Sequence, residues 1–204
     1  MDFKRGIIVS IQGYSQKTTS ELASEAVSAG CVALRLDKPV SIRDGLDRVP
    51  IIGLRKSSVP HPASEPYITT TPDAVQEVSN WANYVAIDCR VCNPRRAELA
   101  DYCNKRNIKF VADIETVDDW KSIQGLGFSW AATTFSVFHK NHRPDISLVK
   151  VLKESGEKHI IAEGNYTSRV DVRTALQSGA HMVCIGAAIA NVYKLTRKYT
   201  TVEF

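Results

Sequence analysis

The sequence lacks several features that would place it in a specialised class of protein. No window approaches the roughly 18 apolar residues that a membrane helix needs. The first apolar run is too short for a signal peptide, and no small-residue cleavage site follows it. Neither G-x-G-x-x-G nor G-x-x-x-x-G-K-[ST] occurs, so the usual nucleotide loops are missing. We therefore expect a cytoplasmic protein without a membrane partner.

Metal and disulfide patterns are weak. The five cysteines are an odd number, which argues for free thiols in a chain without a secretion signal. Cys89 and Cys92 form a C-x-x-C, but no second pair completes a zinc site. His139 and His142 have a metal-like spacing without an obvious third ligand, so a solvated loop is the better interpretation. We expect no metal.

Charged residues are spread along the chain rather than clustered in blocks. Twenty-six Lys and Arg face 22 Asp and Glu, which gives a net charge of +4. The densest basic run, residues 90–96, is too short to indicate a nucleic-acid surface. A mild positive balance suits an anionic metabolite, so we expect a small-molecule partner rather than nucleic acid.

Short β-branched runs alternate with amphipathic stretches along the whole chain. Alternation of strand and helix predicts a parallel sheet, and eight units favour a closed (β/α)8 TIM barrel, one domain over 1–204, rather than an open doubly wound sheet. The predicted strands are residues 6–12, 31–35, 51–54, 84–88, 109–113, 130–133, 159–163 and 182–185. The predicted helices are residues 19–29, 40–47, 72–81, 95–107, 116–125, 145–154, 168–178 and 187–199.

Polar residues or glycine follow every predicted strand. In such barrels the chemistry sits at the C-terminal ends of the strands, so these residues are the ones to inspect. They are Gln12, Arg35, Lys56, Asp88, Arg90, Asp113, Thr133, Thr134, Glu163 and Gly186. We interpret Trp81, Trp120 and Trp130 as anchors between helices and barrel, and place His159 and His181 at the opposite end.

Two members of this ring can transfer protons. Lys56 can act as a base only if burial or a neighbouring cation such as Arg35 lowers its pKa. Glu163 can act as an acid only if a dry pocket raises its pKa. Lys56 could instead form a Schiff base with a carbonyl substrate, and the residues alone leave these roles open.

Two loops indicate a phosphate site. Gly164 and Asn165 lead from the seventh strand into a helix, and Gly186 and Ala187 do so after the eighth. Barrels frequently bind phosphate with these two loops and a helix N-terminus. The two glycines would let the backbone approach the anion closely.

A series of short motifs in order resembles one enzyme family. It includes I-I-G-L-R-K ending at Lys56, A-D-I around Asp113 and I-A-E-G around Glu163, within a match from Gly6 to about Ile189. The chain resembles the N-acetylmannosamine-6-phosphate 2-epimerases of bacterial sialic acid catabolism, which are isomerases.

The resemblance implies a cofactor-independent interconversion of N-acetylmannosamine 6-phosphate and N-acetylglucosamine 6-phosphate through proton transfer at C2. It implies a homodimer. Lys56 and Glu163 would be catalytic. The implied substrate-binding residues are Gln12, Arg35, Asp88, Arg90, Asp113 and Thr133. The implied phosphate-binding residues are Gly164, Asn165, Gly186 and Ala187.

The chain also departs from that family. Asn165 stands where a second glycine is usual, and Ala187 stands where the family has a serine or threonine. Asn tolerates left-handed backbone better than most residues. These departures keep two alternatives open: a related barrel acting on another sugar phosphate, and an inactive sugar-phosphate-binding homologue.

Overall fold

The chain folds as a closed barrel of eight parallel strands surrounded by helices. The structure, a computed structural model, describes residues 3–40, 48–57 and 65–200. Neighbouring strands pair in sequence order, and β8 closes the barrel against β1. The strands are β1 (Gly6–Ile11), β2 (Ala33–Leu36), β3 (Ile51–Gly53), β4 (Tyr84–Asp88), β5 (Phe110–Asp113), β6 (Trp130–Ala132), β7 (Ile160–Ala162) and β8 (Met182–Ile185). The predicted (β/α)8 fold is confirmed.

Helices follow the strands on the outside of the barrel. They are α1 (Gln16–Ser28), α2 (Pro72–Ser79), α3 (Asn93–Lys105), α4 (Val117–Ser122), α5 (Ile146–Glu154), α6 (Arg169–Gln177), α7 (Ala187–Ala190) and α8 (Val192–Thr200). A 3₁₀ helix, Ser136–Lys140, lies between β6 and α5. The helix predicted over residues 40–47 falls almost entirely on residues 41–47, outside the described residues.

Side-chain caps fix where several helices begin. Thr71, Thr116 and Ser168 each accept a hydrogen bond from a backbone N–H of the first helical turn. The predicted start of α1 was wrong by three residues. Ser15 caps that helix by accepting from the backbone N–H of Thr18.

The structure also corrects several predicted boundaries. The strands predicted to end at Gln12, Thr133 and Glu163 each end one residue earlier. Arg35 does not follow β2 but lies inside it. The single helix predicted over residues 187–199 is two helices, because Asn191 has an extended backbone with φ −109° and ψ 87°.

Alternate residues of each strand point into the barrel. The inward side chains at the N-terminal end of the barrel differ from those at its C-terminal end. Phe3 stacks on Tyr84 and meets Trp130 edge-on at the N-terminal end. His159 and His181 also contact Trp130 there, as their positions predict. Trp130 therefore closes the barrel from inside, and its predicted place between helices and barrel was wrong.

The outer faces of the strands pack against the helices. Trp120 belongs to the apolar layer around α4 and α5, and Trp81 packs beside α2. No helix in the described part of the chain is long and apolar enough to cross a membrane.

Candidate active site

A polar cavity of about 550 Å³ opens at the C-terminal ends of the strands. Lys56, after β3, and Glu163, after β7, lie on its wall. Five other residues predicted for the site also line it: Gln12, Gly164, Asn165, Gly186 and Ala187. Seven of the twelve predicted site residues are thus brought to one cavity.

The other five predicted residues lie away from the cavity wall: Arg35, Asp88, Arg90, Asp113 and Thr133. Arg35, Asp88, Asp113 and Thr133 are at most 1% exposed, so protein groups rather than solvent surround them. They support the wall from beneath.

Thr134, which the sequence places at the end of the sixth strand, lies on the wall, and several further wall residues were not predicted: Ser10, Tyr14, Tyr67, Phe135, Phe138 and Cys184. The strand period could have found Ser10 and Cys184, because each lies two residues beyond an inward-facing core residue. Tyr67 lies on a loop and Phe138 in the short 3₁₀ helix, where the strand period does not apply.

A buried arginine joins two carboxylates below the cavity. Arg35 donates from Nη1 to Asp113 Oδ1 over 3.0 Å and from Nη2 to Asp113 Oδ2 over 2.5 Å. Its Nη1 also lies 3.2 Å from Glu163 Oε2. The single guanidinium of Arg35 therefore contacts two carboxylates, and its bidentate geometry compensates the charge of Asp113 better than that of Glu163.

Glu163 is the less compensated of the two carboxylates. No residue in the described part of the chain makes a hydrogen bond with its buried Oε2. Burial raises the pKa of Glu163 above its ordinary value and the Asp113 charge adds to this, while Arg35 opposes it. A proton that enters this three-residue group is therefore best held by Glu163.

Lys56 carries the opposite perturbation. Its side chain reaches solvent at the mouth, but the barrel wall removes part of the hydration of its amine. This desolvation lowers the pKa of Lys56; Asp37 opposes the shift, Arg35 adds to it and Glu163 opposes it. The cavity thus holds an amine and a carboxyl whose pKa values are each displaced toward neutrality.

A second buried ion pair supports an aromatic wall. Arg90 donates to Asp88 from Nε over 3.0 Å and from Nη2 over 2.9 Å. Its guanidinium lies 3.6 Å from the centre of the Phe135 ring. Tyr67 meets Phe135 edge-on, and Phe138 stacks beside it. These three rings form the apolar side of the cavity.

The loop after β7 has a left-handed backbone. Gly164 has φ 114° and Asn165 has φ 57°. Asn is one of the non-glycine residue types that adopt this conformation readily, so it can occupy position 165. Its Nδ2 donates to the carbonyl of His142, which ties the loop after β7 to the loop after β6.

The loop after β1 is held from two sides. Gly13 N donates to Asp37 Oδ2 over 2.8 Å, and the Tyr14 hydroxyl donates to the carbonyl of Ala190. Gln12 Nε2 donates to Ser10 Oγ over 2.7 Å at the cavity wall.

The described residues contain no group of three or more His, Cys, Asp or Glu that could hold a metal ion. Cys89 is buried, Cys92 is exposed, and all five cysteines are free thiols. His139, in the 3₁₀ helix after β6, lies 3.0 Å from Glu115, which follows β5.

The fold and the cavity define a (β/α)8-barrel protein with an amine and a carboxyl of displaced pKa at the C-terminal mouth. Residues 19–203 match the model of a family described as "Putative N-acetylmannosamine-6-phosphate epimerase". The chain belongs to this family.

Named relatives agree with this membership. A "Putative N-acetylmannosamine-6-phosphate 2-epimerase" of Caldanaerobacter subterraneus subsp. tengcongensis is 29% identical, and the match covers 97% of this chain and 91% of that protein. A protein of the same name from Staphylococcus aureus is 27% identical, with 97% of both chains covered.

Solved structures show the same fold. The N-acetylmannosamine-6-phosphate 2-epimerase of Clostridium perfringens superposes with a TM-score of 0.83 at 24% identity, covering 95% of this chain and 91% of that one. A 3-hexulose-6-phosphate synthase superposes with a TM-score of 0.67 at 14% identity, with 90% of each chain covered.

Proposed function

We propose that this chain interconverts N-acetylmannosamine 6-phosphate and N-acetylglucosamine 6-phosphate, as an isomerase of amino sugar and sialic acid catabolism. The observation that carries the proposal is Lys56 and Glu163 on one cavity wall with opposite pKa displacements, in a chain of this family. The alternatives of another sugar phosphate or an inactive homologue are less well supported.

The chemistry follows from the position of the reacting proton. In the opened sugar the C2 proton lies beside the C1 aldehyde, so its removal gives an enolate. The neutral amine of Lys56 takes the proton on one face, and the protonated Glu163 returns one on the other. In the reverse direction the two residues exchange these roles.

Buried polar groups prepare Glu163 for this role. Arg35 and Asp113 fix its carboxyl from below and set its charge. Thr133 Oγ1 donates to the carbonyl of Glu163 over 2.9 Å and accepts from its N–H over 3.0 Å. We therefore assign Arg35, Asp113 and Thr133 to supporting the acid, and Gln12 to contacting the sugar.

The phosphate binds at the loops of Gly164–Asn165 and Gly186–Ala187. Both loops line the cavity, and a Cβ at Gly186 would lie 3.5 Å from the Ser10 Cβ, so the glycine leaves that side open. Backbone N–H groups here can donate to an anion. We expect backbone N–H groups to hold the anion without the hydroxyl that Ala187 lacks.

The aromatic wall suits the acyl group of the sugar. Tyr67, Phe135 and Phe138 offer apolar surface in an otherwise polar cavity. An N-acetyl methyl that packs on these rings is removed from water, which favours binding. This contact holds the C2 substituent between Lys56 and Glu163. Asp88 and Arg90 act indirectly, by holding Phe135.

The proposal is tested by incubating the protein with N-acetylmannosamine 6-phosphate without any cofactor. We expect N-acetylglucosamine 6-phosphate to form, and we expect N-acetylmannosamine without phosphate to react far more slowly. Borohydride that trapped Lys56 as a covalent adduct would favour the Schiff-base alternative. Binding of the sugar phosphate without turnover would contradict the proposal.

We also propose a cytoplasmic homodimer. Five free thiols fit a reducing compartment. Apolar side chains of α7 and α8 are exposed in the single chain: Ile189 is 47%, Val192 68% and Tyr193 70% exposed. Light scattering should give twice the chain mass, and a monomer would contradict this part of the proposal.

A further inference from the structure

Lys56 lies on a short segment after β3 that is held by a second segment, residues 67–69. Lys56 forms an isolated antiparallel bridge with Ile68. On one side of that bridge the Ser57 N–H donates to the carbonyl of Tyr67 over 2.8 Å. The backbone that carries the proposed base is therefore fixed, although it lies beyond the last residue of β3.

Thr69 makes the two bonds on the other side of the bridge. Its N–H donates to the carbonyl of Arg55 over 2.8 Å, and its Oγ1 accepts from the Arg55 N–H over 3.0 Å. One threonine thus satisfies both backbone groups of the residue that precedes Lys56. Only the second of these bonds depends on the side chain, so a substitution can remove it and leave the first in place.

Thr69 adopts a backbone conformation that its residue type rarely takes. Its φ is 49°, in the left-handed region, and a β-branched residue there is an outlier. Strained residues of this kind cluster at functional sites, and glycine would adopt the same conformation at lower cost. Thr69 is 1% exposed, so its hydroxyl does not serve the solvent surface. What threonine supplies and glycine does not is the acceptor for the Arg55 N–H.

The holding segment is itself anchored from β4. The Asp88 N–H donates to the carbonyl of Ile68 over 3.0 Å, and Asp88 Oδ2 accepts from the Tyr67 N–H over 2.9 Å. Asp88 is fully buried and also pairs with Arg90. Residues 67–69 therefore link the barrel at β4 to the segment of Lys56.

The direction of the Lys56 side chain depends on the rotation of the backbone at Arg55. Successive side chains of an extended segment point to opposite sides. Arg55 points outward, where its Nη1 lies 2.6 Å from Glu77 Oε2 on α2, while Lys56 lines the cavity. By fixing both backbone groups of Arg55, Thr69 fixes which of the two neighbouring side chains faces the cavity.

We propose that Thr69 is a positioning residue for Lys56, whose hydroxyl holds the backbone so that the amine meets the C2 proton of the sugar phosphate. The hydroxyl transfers no proton and does not touch the substrate. A misplacement of about 1 Å in a reacting group can lower a rate roughly 10²-fold, so one backbone bond beside the base matters. The inference rests on the proposed function and extends it to a residue outside the cavity wall.

Steady-state kinetics of Thr69 variants test this role. In Thr69→Ala we expect kcat to fall roughly tenfold while KM stays within about twofold, because the base is displaced and the substrate contacts remain. Thr69→Ser keeps the hydroxyl and should restore kcat. Thr69→Gly, which suits the left-handed backbone, should lose as much kcat as alanine yet melt at or above the temperature of the alanine variant.

Thr71→Ala is the matched control. The Thr71 hydroxyl also accepts from a backbone N–H, that of Ala74 in the first turn of α2. Its loss should lower the melting temperature by removing a helix cap, and kcat should stay unchanged.

Three kinetic results would overturn the inference. They are an unchanged kcat in the variants without the hydroxyl, a change confined to KM, and an equal fall of kcat in Thr71→Ala. Failure of Thr69→Ser to restore kcat would overturn it as well. If alanine at position 69 prevents folding, Thr69→Gly removes the same hydroxyl in a residue that fits the backbone.

A measurement on Lys56 itself separates this inference from the proposed function. Reductive methylation places ¹³C-methyl groups on the lysine amines, and the NMR signal of Lys56 is identified by its absence in Lys56→Ala. In Thr69→Ala this signal should move from its wild-type position, and in Thr69→Ser it should coincide with it. Wild-type protein that does not epimerise would refute the proposed function. A Lys56 signal that stays in place in Thr69→Ala would overturn the role of Thr69 whether or not turnover occurs.

Discussion

The two ends of the barrel use the same strands for opposite purposes. At the N-terminal end, β4 and β6 contribute Tyr84 and Trp130 to an aromatic plug with Phe3. At the C-terminal end, the inward positions hold charged groups such as Arg35 and Glu163 around a cavity. If the proposed chemistry lies at the C-terminal end and the plug stabilises the N-terminal end, substitutions at the two ends should separate activity from stability.

The largest expected effect is at the mouth. Lys56→Ala should lower the rate of epimerisation by roughly 10²- to 10⁴-fold, because it removes the proposed base. The melting temperature should change no more than it does for a typical surface substitution, since the side chain reaches solvent. Steady-state kinetics and calorimetry measure the two quantities.

Arg55→Ala is the matched control for Lys56→Ala. It removes one positive charge at the adjacent position, where Arg55 pairs with Glu77 on the outer surface. Its rate should be close to that of the wild type. An equal loss of rate in both variants would show that charge at the mouth, rather than a base, is what matters.

The next largest effect is at the opposite end. Trp130→Ala should lower the free energy of unfolding by about 3–5 kcal/mol, because it leaves a cavity inside the plug. Well below the melting temperature, kcat/KM should be close to that of the wild type. Denaturant unfolding and kinetics at low temperature test this, and a proportional loss of activity in folded protein would remove the distinction between the two ends.

The two loop glycines should separate folding from binding within the mouth. A Cβ at Gly164 would lie 3.1 Å from the Val137 Cβ at φ 114°, so Gly164→Ala should cost about 1–3 kcal/mol of stability. A Cβ at Gly186 meets only ordinary contacts, so Gly186→Ala should fold normally.

Gly186→Ala should nevertheless raise KM for the sugar phosphate by roughly tenfold, because a methyl group obstructs an N–H bond to the anion. Kinetics with phosphorylated and unphosphorylated sugars, beside thermal melts, provide the comparison. A normal KM in Gly186→Ala would place the phosphate elsewhere.

The smallest effect is a slope of stability with pH. The folded-state pKa of Glu163 is raised above its ordinary value of 4.5, so the folded protein holds this proton more tightly than the unfolded chain. Its contribution is complete below pH 4.5 and is lost as pH rises through the folded pKa.

The wild type should therefore lose stability relative to Glu163→Gln over that window. The loss should be about 1.4 kcal/mol for each pH unit that separates the folded pKa of Glu163 from its unfolded pKa. Melting temperatures measured from about pH 4 upward check the sign. A wild type that gained stability over the same window would show an ionised, well-paired Glu163.

Much of the mouth was predictable because strand period and strand order place residues at its rim. Lys56, Glu163 and the two glycine loops were found in this way. The buried state of Arg35 and Asp113 was not predictable, because it depends on which partners meet across the barrel from β2 and β5. Sequence position identifies the strand end but not whether a charge there faces substrate or another charge.

Loop residues were the harder part. Tyr67 and Phe135 belong to the cavity wall through their contacts with each other and with Arg90. No local spacing encodes such contacts. At the bottom of the barrel, Trp130 was misplaced because a tryptophan on a barrel strand can face either side of that strand, and only the register decides.

The most direct test of the acid–base pair is proton NMR of the sugar phosphate in heavy water. We predict that the wild-type protein replaces the C2 hydrogen of N-acetylmannosamine 6-phosphate with deuterium, and that Lys56→Ala and Glu163→Ala each lose net epimerisation. Absence of C2 exchange with saturating wild-type protein, or full epimerisation by either variant, would contradict the account.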